Sequence, residues 1–249
     1  LLRETGLESL SDLIVELTRS DDERLRRKVV EALLNNETYF FRDRQVFDHV
    51  DKVILPRLAA ENASRRRMRV WSAGCSTGQE VYSMLMLLHR SGLLDKASIT
   101  ATDLNPHYLE QAKLGSYKYR YHLNYLDNFD AVLKEDPSDS SRLVDVPYED
   151  YMEINHVKDT LLMKDFLRSK PVFVKHDLVR GSQVGNREFD IVLCRNVIIY
   201  FNFDLQNRVL RLLYDHLKPG GYLVLGAHES ILGSLAEKFR SLQFAYKKC

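Results

Sequence analysis

The stretch from Arg69 to Gln79, read together with Asp103, constrains what this chain can fold into more than any other. Arg69-Val70-Trp71-Ser72-Ala73 is a short apolar run and predicts a buried strand. Gly74-Cys75-Ser76-Thr77-Gly78 is a turn of small residues. From Gln79 to Arg90, Val81, Met84, Leu85 and Leu88 fall at helical spacing. A second strand-like run, Ala97 to Thr102, leads into Asp103. Strand, glycine turn, helix, second strand and terminal acid make the nucleotide-binding half of a doubly wound α/β fold. Such a turn brings backbone N–H groups close to a ligand, and such an acid accepts hydrogen bonds from ribose hydroxyls.

The ligand need not be a dinucleotide. The G-x-G-x-x-G pattern is absent, because only Gly74 and Gly78 flank Cys75, Ser76 and Thr77. That loosened loop suits a cofactor with ribose but no pyrophosphate, of which S-adenosylmethionine is the common one. The competing reading is a structural β-turn-α unit, and Asp103 in register weighs against it.

A length of 249 residues accommodates one large α/β domain and a smaller element. The apolar fraction of 45% and charged fraction of 29% are those of an ordinary soluble globular protein. A net charge of +1 supplies no field for nucleic acid or an anionic membrane. No apolar run approaches the roughly 18 residues of a membrane span, so membrane insertion is not expected either. Cys75, Cys194 and Cys249 show no metal-ligand spacing; reduced thiols in the cytoplasm, and no metal, are expected. The chain opens without Met and inside helical periodicity, as a piece of a longer protein would.

Residues 1–62 are predicted to form a helical N-terminal domain. Leu7, Leu10, Ile14 and Leu17 would share one face, as would Leu25, Val29, Ala32 and Leu33. A third helix is predicted from Arg44 towards Leu58, bent or ended by Pro56, and Arg65-Arg66-Arg67 reads as a linker. From residue 68 to 249 strands and helices alternate, predicting a mostly parallel sheet covered on both faces. Asn105-Pro106 opens a helix that Gly115 closes. Val172-Phe173-Val174 and Asp190 to Cys194 are further strands. A helix carrying Leu205, Val209, Leu212 and Leu213 precedes Pro219-Gly220-Gly221, a strand follows from Tyr222 to Leu225, and Phe239 to Tyr246 supplies a last strand or hairpin. The interval between Tyr117 and Lys170 breaks this rhythm and is too long for bare loop, so a small subdomain inserted at about 120–170 is expected. Its excess of acids reads as a solvated surface or as a docking surface for a partner.

Two further segments carry polar residues at places where an α/β sheet binds ligands. Asn36-Glu37-Thr38-Tyr39-Phe40-Phe41-Arg42-Asp43 follows a helix; Asn36 or Thr38 as a cap and Arg42 as a structural ion pair are the plain readings. Cys194-Arg195-Asn196 ends a strand at the carboxyl edge of the sheet, with Tyr200 close behind.

Taken together with Trp71 to Gly78, Ala101-Thr102-Asp103 and Gly220 to Ser230, these segments resemble the chemotaxis receptor methyltransferases, the CheR family, in order and over nearly the whole chain. The resemblance implies a helical N-terminal domain, a class I methyltransferase core and a small β-subdomain inserted in it. It implies transfer of the S-adenosylmethionine methyl to glutamate side chains on cytoplasmic helices of chemoreceptors, with S-adenosylhomocysteine as product. By matched position, Asn36, Thr38 and Arg42 would close over the cofactor from the N-terminal domain. Ala73, Gly74 and Gln79 would contact it and Asp103 would hold its ribose. Asp177 and Leu178 would flank the adenine, and Arg195 and Asn196 would line the methionine end. Arg42 and Tyr200 match residues bordering the methyl acceptor. The insert is then a candidate dock for a receptor tail or another protein.

Two departures stand out. Gln79 replaces the family's usual glutamate, losing a charge beside the methionine ammonium, and Asp177 replaces a usual asparagine. They keep open a non-catalytic module that binds S-adenosylmethionine or S-adenosylhomocysteine, beside a methyltransferase acting on another substrate.

Overall fold

Strands buried on both faces carry apolar residues at successive positions; Ile191 to Cys194 do so, whereas 97–102 alternates Ala97, Ile99 and Ala101 with Ser98, Thr100 and Thr102. The computed structural model describes residues 2–20, 22, 24–26, 28–29, 37–61, 67–123, 126–136, 139–181, 184 and 188–249. In chain order its strands are β1 (Met68–Ala73), β2 (Ala97–Asp103), β3 (Ser116–Lys118), β4 (Glu135–Asp136), β5 (Asp139–Leu143), β6 (Met152–Asn155), β7 (Thr160–Met163), β8 (Pro171–Lys175), β9 (Phe189–Cys194), β10 (Leu217–Leu225), β11 (Phe239–Ser241) and β12 (Ala245–Lys248). The main sheet has the order β11-β12-β10-β9-β1-β2-β8. The pairs among β8, β2, β1, β9 and β10 are parallel, and only β12 is reversed, pairing antiparallel with β10 on one side and β11 on the other. From β1 the chain proceeds to β2 and β8 on one side, then returns to lay β9 and β10 on the other. The order therefore reverses between β1 and β9, where doubly wound sheets bind their ligands.

Alternation along each strand divides the core into two layers. Val70, Ile191, Leu193, Tyr222 and Val224 face the layer filled by the helix Gln79–Arg90 and the segment 40–58. Trp71, Val192, Cys194, Leu223 and Leu225 face the layer under the helix Phe203–His216, which Asn202 caps by accepting from Leu205 N–H. The helix Pro106–Leu114 begins and ends where its sequence signals stand. Asn105 Oδ1 accepts from His107 N–H, and Gly115 turns the chain out at φ +59.

Beyond Gly115, β3, β7 and β6 form a separate antiparallel sheet, and β4 and β5 pair as a hairpin whose Pro137 and Ser138 lie outside the described residues. Its apolar side chains, Phe129, Tyr151, Leu161 and Met163, join the first core layer.

The chain divides into two compact units at residues 37/38 rather than near 62. The helical stretch 44–61 packs into the sheet's own core, so it belongs to the second unit. Pro56 does not end this stretch. Arg44–His49 is α-helical, Val50–Ile54 widens to a π-helical turn, and Leu55–Glu61 resumes the α form. The wider turn takes Leu55 N–H to Val50 O, one residue farther back than in an α-helix, just ahead of the proline that has no N–H to give.

In the first unit, the helix Leu10–Arg19 is capped by Ser9, whose Oγ accepts from Asp12 N–H. Its inward row differs from the predicted one. Leu13 is buried with Leu25 and Val29, and Leu2, Leu7 and Leu17 pack around them, while Leu10 and Ile14 are 66% and 61% exposed. Leu10, Leu13, Ile14, Val15 and Leu17 give the helix apolar residues on several sides, so periodicity alone does not choose among them. Ala32 and Leu33, like Arg65 and Arg66, lie outside the described residues.

Candidate active site

The site is assembled where β1, β2 and β9 end. Gly74 leaves β1 at φ +82; its N–H and that of Cys75 both bond Thr102 O, at 2.8 and 2.9 Å, which holds the turn against the end of β2. A Cβ on Gly74 would lie 2.7 Å from Val197 Cγ2, so the turn is kept bare where it meets the chain leaving β9. Gly78 has φ +96, and a Cβ there would come within 2.8 Å of Ala112 Cβ.

Asp103 closes β2 as predicted and is turned toward that turn. Ser76 N–H donates to its Oδ2 at 2.8 Å and Asn105 N–H to its Oδ1 at 2.9 Å. Burial pushes its carboxyl above the ordinary value, and these backbone donors pull it back. Ser76 Oγ beside it is buried and makes no hydrogen bond among the described residues. A bare glycine turn, an acid fixed by that turn and a hydroxyl with no partner among the described residues thus stand together where β1 and β2 end. His176 N–H bonds Asp103 O at 3.0 Å, so Asp177 and Leu178 run alongside. Asp177 accepts from Val179 and Arg180 N–H, and Leu178 is buried in the second core layer. Gln79 is buried at the helix start, its Oε1 accepting from Thr77 Oγ1 at 2.7 Å.

Arg195 is the structural centre of the opposite rim. Its side chain is 2% exposed. Nη1 lies 3.1 Å from Glu80 Oε2, Nη2 lies 3.1 Å from Asp43 Oδ2 and also donates to Arg42 O, and the guanidinium sits 4.8 Å from the Phe47 ring centre. Asn196 Nδ2 reaches the same Asp43 carboxylate at 3.3 Å. The segment 42–43 is thereby fastened to the end of β9. Arg42 itself is half-buried, its guanidinium 5.9 Å from the Tyr39 ring centre. Tyr200 ends the short 3-10 turn Ile198–Tyr200 and is 42% exposed.

Of the predicted residues, Gly74, Gln79 and Asp103 stand at the glycine turn, Asp177 and Leu178 follow β8, and Arg42, Arg195 and Asn196 are joined at the end of β9, with Glu80 linking Arg195 to the helix that starts at Gln79. Thr38 and Arg42 belong to the same compact unit as the sheet. Asn36 lies outside the described residues.

Three acids escaped sequence reasoning. Glu80, placed by the first helical turn, is partly buried with Oε1 accepting from Ser72 Oγ at 2.7 Å; desolvation raises its carboxyl and Arg195 lowers it. Asp43 sits at φ +55, and Glu229 receives the backbone of residues 196–199. An acid one position past Gln79 was the only local signal; the other two act across more than thirty residues. Cys75 and Cys194 flank the rim, and burial holds both thiols well above their ordinary value, so neither is a thiolate nucleophile. No described helix is long and apolar enough to cross a membrane.

Comparison with known proteins agrees with this geometry. The family description "CheR methyltransferase, SAM binding domain" matches residues 36–130 and 136–247. The "Chemotaxis protein methyltransferase 1" of Vibrio cholerae is 35% identical over 98% of this chain and 82% of its own length. The protein of the same name from Pseudomonas aeruginosa is 32% identical over 98% of this chain and 83% of its own. Among solved structures, a TehB-like SAM-dependent methyltransferase from Corynebacterium glutamicum is 14% identical with a TM-score of 0.41, covering 91% of this chain and 95% of that one, too distant to add weight. With the sheet order, the glycine turn and the acid of β2 in place, the chain belongs to the CheR methyltransferase family and its cofactor is S-adenosylmethionine.

Proposed function

We propose that this methyltransferase serves chemotaxis by forming methyl esters on glutamate side chains of chemoreceptor cytoplasmic helices. The observation that carries the reading is that each acid found at the rim is already engaged. Asp103 and Asp177 accept backbone N–H groups, Glu80 and Asp43 pair with Arg195, and Glu229 holds the chain after β9. A rim so committed suits an acceptor that needs no base. A glutamate side chain has a reference pKa of about 4.3, so it is an anionic nucleophile near pH 7 without losing a proton to the enzyme. When bound, S-adenosylmethionine supplies a methyl on a cationic sulfur that departs as a neutral thioether.

The chain's own residues then have positioning roles. Asp103 would hold the ribose, with Asp177 and Leu178 beside the adenine. Ala73, Gly74, Gln79, Arg195 and Asn196 would frame the methionine end. Arg42 and Tyr200 would orient the acceptor carboxylate and keep water from it. Because attack neutralises opposite charges, a tight ion pair to the acceptor would oppose it, so a hydroxyl and a half-buried arginine suit the task better than a bidentate clamp.

Incubation with methyl-labelled cofactor and a receptor cytoplasmic fragment tests this. Alkali-labile label that disappears when the fragment's glutamates are changed to alanine is expected; alkali-stable label would mean another acceptor atom. Gln79, buried against Thr77 rather than offering a carboxylate, favours the second reading of a binding module. Cofactor binding by calorimetry with no labelled fragment would establish that reading instead.

A further inference from the structure

We infer that Glu229 is a positioning residue for methyl transfer, setting the acceptor side of the site through the backbone of Asn196 to Ile199. The inference rests on the functional reading above, since Tyr200 is the group it positions. One carboxylate accepts five backbone N–H groups. Oε2 takes those of Asn196 and Gly226, both at 2.8 Å, and Oε1 takes those of Val197 and Ile198 at 2.9 Å and Ile199 at 3.3 Å. Glu229 N–H in turn bonds Gly226 O at 3.0 Å, fixing the acid's own backbone.

Three of these donors, the N–H groups of Val197, Ile198 and Ile199, are those that a short helical turn leaves unsatisfied at its start. Glu229 thus caps the 3-10 turn Ile198–Tyr200 from the loop after β10, thirty residues away, and the turn delivers Tyr200 at its other end. The same grip holds Asn196 at φ +58, a conformation that costs free energy for a side chain, with its amide on Asp43. Gly226 is part of the device, because a Cβ there would lie 2.7 Å from Asn196 Oδ1 and 2.9 Å from Glu229 Oε2.

A glutamine cannot reproduce this cap. One of its two terminal groups would be an NH₂ pointed at N–H donors. Glu229→Gln should therefore loosen residues 196–199 while leaving the glycine turn and Asp103 in place. Gly226→Ala, which presses on the carboxylate from the loop just after β10, gives the same readings if Glu229→Gln fails to fold.

The test measures three quantities in the wild type and both variants: amide hydrogen exchange of residues 195–201, calorimetric affinity for S-adenosylhomocysteine, and kcat for receptor-fragment methylation. Exchange faster by about tenfold or more in that segment, kcat lower by about tenfold or more, and an affinity loss several-fold smaller than the loss of kcat, reflecting Asn196 at the methionine end, are expected. Unchanged kcat with faster exchange would overturn the inference, as would a kcat loss matched by an equal loss of affinity. Wild-type protein that binds S-adenosylhomocysteine yet never methylates the fragment would count against the glutamate reading instead, and the exchange data would still decide whether Glu229 holds the turn.

Discussion

Asp43 and Arg195, 152 residues apart in sequence, meet at 3.1 Å on the wall of the site, with Asp43 held in the left-handed conformation at φ +55. Glu80 binds the other end of the same guanidinium at 3.1 Å. The arginine joins three elements: the segment before the helix at 44, the helix at 79 and the end of β9. Its partners compensate a charge that could not otherwise be buried. Glu80→Gln should cost about 1.5–3 kcal/mol in denaturant unfolding, since it leaves the nearly inaccessible guanidinium with Asp43 but without its second carboxylate. Asp43→Asn, at a partly exposed site, should cost about 1–2 kcal/mol. A Glu80→Gln protein as stable as wild type would show that the pair adds nothing.

Asp103 offers a charged acceptor where a ribose would lie. Hydrogen bonds to charged groups contribute about 1.5–3 kcal/mol, so Asp103→Asn should weaken S-adenosylhomocysteine binding by roughly ten- to a hundredfold. Calorimetry reads this directly, and affinity within twofold of wild type would remove the acid from the cofactor site.

Arg42 and Tyr200 are proposed to orient the acceptor, Arg42 while also closing over the cofactor. Arg42→Ala and Tyr200→Phe should each lower kcat by about tenfold or more while S-adenosylhomocysteine affinity shifts less than about threefold. Turnover near wild type in both variants would end the assignment.

His122 lies among the rings of Tyr121, Phe40 and Tyr117, at centre distances of 5.1, 5.2 and 5.6 Å, and burial lowers its pKa from 6.5 to about 4. Between those values the unfolded chain takes up a proton that the folded chain resists. Its share of stability is complete above pH 6.5 and falls as pH drops towards 4, by roughly 3 kcal/mol. A His122→Phe protein should show a flatter stability profile from pH 6.5 to 4. Parallel profiles would mean that His122 does not titrate in this way.

Gly78 starts the helix of the glycine turn at φ +96, facing Ala112. Gly78→Ala combines an unfavourable backbone conformation with overpacking, together roughly 2–4 kcal/mol, and should lower the thermal midpoint. An unchanged midpoint would show that Ala112 yields freely.

Local signals were legible wherever the deciding contacts are local. The β1 run, the glycine turn and Asp103 were read correctly because strand, turn and terminal acid are specified within about thirty residues. Asn105-Pro106 and Gly115 marked a helix because capping bonds span one turn. What tertiary structure decided depends on partners distant in sequence. Periodicity could not choose Leu13 over Leu10 and Ile14, because the segment covering the helix makes that choice. Pro56 marked an irregularity, but whether the chain would break or widen into a π turn depended on the core packed beneath it. The division at residue 38 follows from how 44–61 fills one layer under the sheet. Asp43 on Arg195 and Glu229 on the chain after β9 are charges placed by the folded backbone, and nothing near either residue in sequence announces its partner.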